Sequence, residues 1–87
     1  MYILITYDVQ TETRAGQQRL RRVARVCQDY GQRVQNSVFE CLVNPTQCKE
    51  LQVKLKGIID VKKDSLRFYY LGDKYQSKIE HLGIREA

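Results

Sequence analysis

The side chains with chemistry to offer fall into two groups near the N-terminus. The run YILITYDV, residues 2–9, is apolar and aromatic but for Thr6 and Asp8. From Arg14 to Arg33 there then stand six arginines and a single acid, Asp29. Mg2+ is commonly held by only one or two carboxylates, with waters and substrate phosphate completing its shell. One aspartate per chain is too little for a tight site. Two copies of Asp8 meeting across a dimer axis would suffice for a Mg2+ (or Mn2+) ion that assists phosphodiester cleavage. An aspartate at a strand end is equally a common turn residue, solvated and bonded to the backbone that follows. Position alone leaves both readings open.

The arginines point to phosphate. A planar guanidinium pairs well with phosphate oxygens. Arg14, Arg19, Arg21, Arg22 and Arg25 share one segment with no acid before Asp29, whereas a merely solvated helix face usually mixes both signs. Such clustering is the footprint of a backbone-binding face, indifferent to base sequence and sensitive to salt.

Other candidates are weaker. In QNSVFE, Ser37 suits a phosphate contact and Phe39 either a stacking wedge or a buried aromatic. Tyr69 and Tyr70 read as sheet packing, and His81, the single histidine, has no partner at ligand spacing. There is no GxGxxG, no phosphate-binding Walker loop, no nucleophile–histidine–acid set and no aromatic motif of an RNA-recognition sheet.

Periodicity supplies the elements that carry these groups. Residues 2–9 read as a central strand buried on both faces. Leu20, Val23, Ala24, Cys27 and Tyr30 keep helical spacing over 14–30, and Gly31 stands where a helix C-cap favours positive φ. Residues 33–43 read as a strand bent or bulged around 35–37. Asn44 as N-cap, Pro45 and Gln47 open a second helix ending near Gly57, its buried stripe Cys48, Leu51, Leu55 and Ile58. After the turn DVKKD, residues 65–71 form another strand, and Gly72-Asp73 a turn. A short strand around 77–82, in a tail of residues 73–87, would be stable only on a sheet edge, most simply that of a partner subunit. With 33–43 counted as two strands the order is βαββαβ, an α+β ferredoxin-like plan with both helices on one face of an antiparallel sheet.

The chain has 87 residues and a formal net charge of +5. It is one domain, short enough that its core buries only about 60–65% of the unfolded surface. Cys27, Cys41 and Cys48 are odd in number, lack CxxC spacing and fall on apolar phases. They read as free buried thiols of a reducing cytoplasm, not as a disulfide framework or zinc site. With those staples excluded, homodimerisation through the uncovered sheet face is expected to supply more core. No segment has the pattern of a secretory leader or the length of a membrane span.

The strand ending YDV, the helix RLRRVARVCQDYG and the segment QRVQNSVFEC together resemble the small CRISPR-associated adaptation proteins of the Cas2 family. The likeness continues into LGDKYQSKIEHLG, so it covers nearly the whole chain, and its fine pattern is similar to the variant that accompanies type I-C systems. The resemblance implies a ferredoxin-like homodimer and a metal-dependent endonuclease acting on RNA or double-stranded DNA. It also implies a partner integrase, which such a dimer bridges during spacer acquisition, and a role in antiviral defence. A structural adaptor without catalysis and a toxin-like small ribonuclease are the alternatives. Carried over by motif, Asp8 would hold the metal with its symmetry mate, and Tyr7 is the neighbouring aromatic of the catalytic pair. Arg33, Ser37 and Phe39 match the segment that handles substrate, and Arg19 and Arg22 match the basic helix. With Arg14 they make up the expected nucleic-acid-binding set.

Overall fold

A computed structural model describes residues 1–72 together with Glu80 and Leu82. The expected C-terminal strand and tail docking fall largely outside the described residues, as does His81. Strand β1 (Tyr2–Asp8) leads to helix α1 (Arg14–Tyr30), strands β2 (Gly31–Gln35) and β3 (Val38–Leu42), helix α2 (Pro45–Ile58) and strand β4 (Ser65–Gly72). The sheet order is β2-β3-β1-β4 and every neighbouring pair is antiparallel, the ferredoxin-like arrangement the pattern implies. No helix among the described residues is long and apolar enough to cross a membrane.

Alternation along β1 sorts its side chains. Ile3, Ile5 and Tyr7 are buried, with Val9 just beyond, whereas Tyr2, Leu4 and Thr6 are half-buried and Asp8 is exposed. Phe39 and Cys41 of β3 join the buried set, and Val23 and Cys27 of α1 with Cys48, Leu51 and Leu55 of α2 close over it. Both helices therefore cover one sheet face. No described residue covers the other face, so among the described residues the expected burial of β1 on both sides is half met.

Local chemistry explains the helix ends. Thr13 Oγ1 accepts from the Gly16 amide at 3.0 Å and starts α1. Asn44 and Gln47 form the anticipated capping box, at 2.8 and 3.0 Å, with Pro45 in the first turn of α2. Gly31 departs from expectation: its φ is −162°, extended, and it opens β2 directly. Proximity is what requires glycine here. An added Cβ would lie 2.2 Å from the Glu40 carbonyl oxygen and 2.4 Å from Cys41 Sγ.

The bend expected within 33–43 resolves into a hairpin. Asn36 and Ser37 form its turn, and the register shifts between Arg33 and Gln35, a bulge that leaves Val34 without a register partner. At the end of β4, Gly72 takes φ 82°, as the anticipated turn demands, and Asp73 lies outside the described residues.

Candidate active site and nucleic-acid interface

Asp8 is the last residue of β1 and projects from the open sheet face beside Leu4 and Thr6, as its phase predicts. Its register partner on β4 is Ser65, and Thr6 is paired with Arg67 on one side and Val38 on the other. Arg67 thus shares Asp8's face one pair away, a cation the sequence reading passed over inside an aromatic strand. Its Nη1 donates to the Tyr69 hydroxyl at 3.0 Å, and its guanidinium carbon lies 5.9 Å from that ring's centroid. It has no acidic partner among the described residues.

Tyr7, expected beside Asp8 in a catalytic pair, points the opposite way. It is buried under the helices, its ring stacked on Phe39 at a centroid distance of 6.2 Å. Burial pushes its phenol above the ordinary tyrosine range. Its amide donates to the Ser37 carbonyl at 3.1 Å and its hydroxyl to the Asn36 carbonyl at 3.4 Å. Tyr7 therefore ties the β2–β3 turn to the Asp8 end of the sheet. Ser37, half-buried, stays at that turn.

Phe39 is no surface wedge: it is fully buried in the core, which excludes direct contact with a bound strand. Arg33 is half-buried, its guanidinium carbon 5.1 Å from the Phe39 ring centroid, with Nε buried and unpartnered. Tyr7, Phe39 and Arg33 thus form one cluster, Arg33 acting on the Tyr7 phenol as well as lying against the Phe39 ring.

The helix arginines divide. Arg14, Arg21, Arg22 and Arg25 are exposed along α1. Arg19 is not part of that open face. Its Nε and Nη2 donate to Asp64 at 2.8 and 3.3 Å, and only 14% of its side chain is exposed, against none of Asp64's. Asp64 also accepts from the amides of Gln10 (3.1 Å) and Asp60 (2.9 Å). Arg19 first among these donors, they hold the Asp64 carboxyl below the usual carboxylate range. This clamp fastens the loop after Asp8 to α1 and to the approach to β4. Gly16 assists, since a Cβ there would come within 1.9 Å of the Gln10 carbonyl oxygen.

The arginines of α1 and Asp8 consequently lie on opposite sides of the sheet layer. The fold does not gather them into one groove.

The model of the family described as CRISPR associated protein Cas2 matches residues 1–79. The chain belongs to the Cas2 family. Among its relatives, the "CRISPR-associated endonuclease Cas2" of Halalkalibacterium halodurans is 58% identical over 87 residues, 100% of this chain and 91% of that protein. The "CRISPR-associated endoribonuclease Cas2" of Chlorobaculum tepidum is 58% identical over 86 residues, 99% of this chain and 90% of the relative. The crystal structure of Streptococcus pyogenes Cas2 superposes with a TM-score of 0.83 at 58% identity, covering 95% of this chain and 100% of that one.

In this member of the Cas2 family all three thiols, Cys27, Cys41 and Cys48, are free and buried. Cys27 is buried and pushed up to about 12 by desolvation, and Cys41 likewise up to about 11, so neither is a thiolate at neutral pH. Among the described residues no group of three or more His, Cys, Asp or Glu side chains is placed to hold a metal. Asp8 is exposed and belongs to no such group, so a hard divalent cation that keeps most of its waters would fit it only with a second carboxylate from another molecule.

Proposed function

We propose that this Cas2 chain is a homodimeric, metal-dependent endonuclease that cleaves phosphodiester bonds of single-stranded RNA or duplex DNA. The observation that carries the reading is Asp8, exposed at the end of a strand whose alternate side chains are buried, on the face left open for a second copy. Relatives 58% identical over essentially the whole chain are described as an endonuclease and an endoribonuclease, which supports it. The open face offers a dimer apolar surface: Leu42 is 60% exposed and Tyr69 39%.

Asp8 of each subunit would hold Mg2+ or Mn2+. Such an ion supplies Lewis-acid stabilisation of the charge that develops on a phosphodiester under attack. Arg67, on the same face, would bind and orient a phosphate of the scissile strand. Tyr7 and the Arg19–Asp64 clamp keep the loop and turn around Asp8 in place.

A second role is favoured by one observation, the placement of the α1 arginines behind the sheet from Asp8. That face would bind duplex DNA without presenting it to the carboxylate, as an adaptor working with a partner integrase in spacer acquisition in the cytoplasm would require. The deciding experiment follows cleavage of labelled single-stranded RNA and duplex DNA by wild type and Asp8→Asn, with Mg2+ or chelator. Cleavage that needs both Asp8 and Mg2+ is expected. Undiminished cutting by Asp8→Asn would remove Asp8 from the mechanism, and absence of cutting with duplex binding retained would leave the adaptor role alone.

A further inference from the structure

Counted by residue, the turn DVKKD between α2 and β4 is neutral, with two acids and two lysines. In the fold its charges are sorted by direction. Asp64 is turned inward and engaged by four donors, two of them from Arg19. Asp60 folds back on the turn: its Oδ1 accepts from the Lys62 amide at 3.0 Å. Its carbonyl accepts from the amides of Lys63 (3.0 Å) and Asp64 (2.7 Å). Both carboxylates are thus occupied with backbone or with Arg19. Val61, Lys62 and Lys63 form the outer surface, Val61 being 80% exposed. Neither lysine has an ion-pair partner among the described residues.

The clamp also decides what this surface adjoins. By holding Asp64 against Arg19, it fixes the turn to the flank of α1, and the exposed Arg22 follows Arg19 by one helical turn on that flank. The charge that Arg19 loses to Asp64 is replaced outside by two lysines. The exposed lysines of the turn are therefore tied, through Asp64 and Arg19, to the helix that carries the exposed arginines. With Asp64 neutralised by Arg19, the rest of the turn carries two exposed lysines against the single acid Asp60, a balance that favours an approaching phosphate backbone.

We infer that the α2–β4 turn is part of the nucleic-acid-binding surface, with Lys62 and Lys63 contacting the phosphate backbone as a continuation of the α1 arginine face. The inference rests on the duplex-binding reading above and extends it to residues outside the basic helix.

The test measures binding of a fluorescein-labelled DNA duplex by anisotropy between about 50 and about 200 mM salt. Four proteins are compared: wild type, Lys62→Ala/Lys63→Ala, Arg21→Ala/Arg22→Ala and Lys49→Ala. Lys49 is exposed near the start of α2, which follows the end of β3 farthest from Asp8, and serves as the control for net charge. Each phosphate contact contributes about 0.9 to the log–log salt slope, so the turn variant should lose about 1–2 from its magnitude. Lys49→Ala should keep the wild-type slope. The turn uses only the backbone of Lys62 and Lys63, so the double alanine variant should melt as wild type does. If Arg21→Ala/Arg22→Ala flattens the slope and the turn variant does not, the inference fails while the reading of α1 stands. An equal loss in Lys49→Ala would reduce the effect to net charge and overturn the assignment. A wild type that binds no duplex would refute the binding reading itself.

Discussion

Removing the Phe39 ring tests whether the SVF segment touches substrate or supports the fold. The side chain is fully buried, stacked on Tyr7 at 6.2 Å, with the Arg33 guanidinium carbon 5.1 Å from its ring centroid. Truncation to alanine removes the transfer energy of a buried aromatic and leaves a cavity, together about 3–5 kcal/mol. The lost ring pairing is part of that figure. A domain of this kind has about 5–15 kcal/mol in all, and each kcal/mol is worth about 4–8 °C in Tm at this size. Phe39→Ala is therefore expected to melt at least ~12 °C below wild type and to lose activity through unfolding. Phe39→Leu fills most of the volume and should cost about 1–2 kcal/mol. Urea titrations with a common m-value give both numbers, and duplex binding and cleavage are then measured well below both midpoints. Phe39→Leu should bind and cut as wild type does. A leucine variant that stays folded but loses tenfold in binding would show that the ring contacts the nucleic acid and that its burial has been misjudged.

Two further outcomes follow from the buried polar and thiol groups. Asp64 has a lowered carboxyl pKa in the native state, against about 3.9 unfolded. Its contribution to stability is therefore full above that value and lost as pH falls through the lower native one. The stability gap between wild type and Asp64→Asn should be constant from about pH 7 to 5 and narrow below about 3.9; a gap unchanged at pH 3 would refute the clamp. Cys27 and Cys41, buried and raised to about 12 and about 11, should react with a disulfide-exchange reagent at neutral pH only as fast as the protein opens. Labelling in the native state at the rate of a free thiol would contradict their placement.

The elements were legible wherever local chemistry decides them. Period-two alternation is enough to put Asp8 and Tyr7 on opposite sheet faces, and Asn44-Pro45-Thr46-Gln47 carries its helix start in four letters. What the linear pattern hid was tertiary. The Arg19–Asp64 pair spans 45 positions, so Arg19 reads as one more arginine of a basic face. Phe39 lies in a stretch with apolar residues on both phases, which leaves its direction undecided until pairing with Ile5 of β1 turns it into the core. Arg67 sits between Leu66 and Phe68 in an apolar stretch, and becomes notable only through its register with Thr6, two residues from Asp8. Gly31 was rightly singled out but for backbone conformation, whereas the reason is the close passage of β3.

The junction of α1 and β2 has no spare residue: Tyr30 is the last of the helix and Gly31 the first of the strand. Inserting one residue there would either rotate the arginine stripe by about 100° about the helix axis or exchange the two faces of β2. The second outcome would pull Arg33 off Phe39 and turn Gln32 inward. Helix phase and strand phase are thus geared to each other. From Arg14 to Arg33 the chain has no connecting loop, so changes in length have to be taken up beyond it, at the bulge between Arg33 and Gln35 or in the six residues that separate α2 from β4.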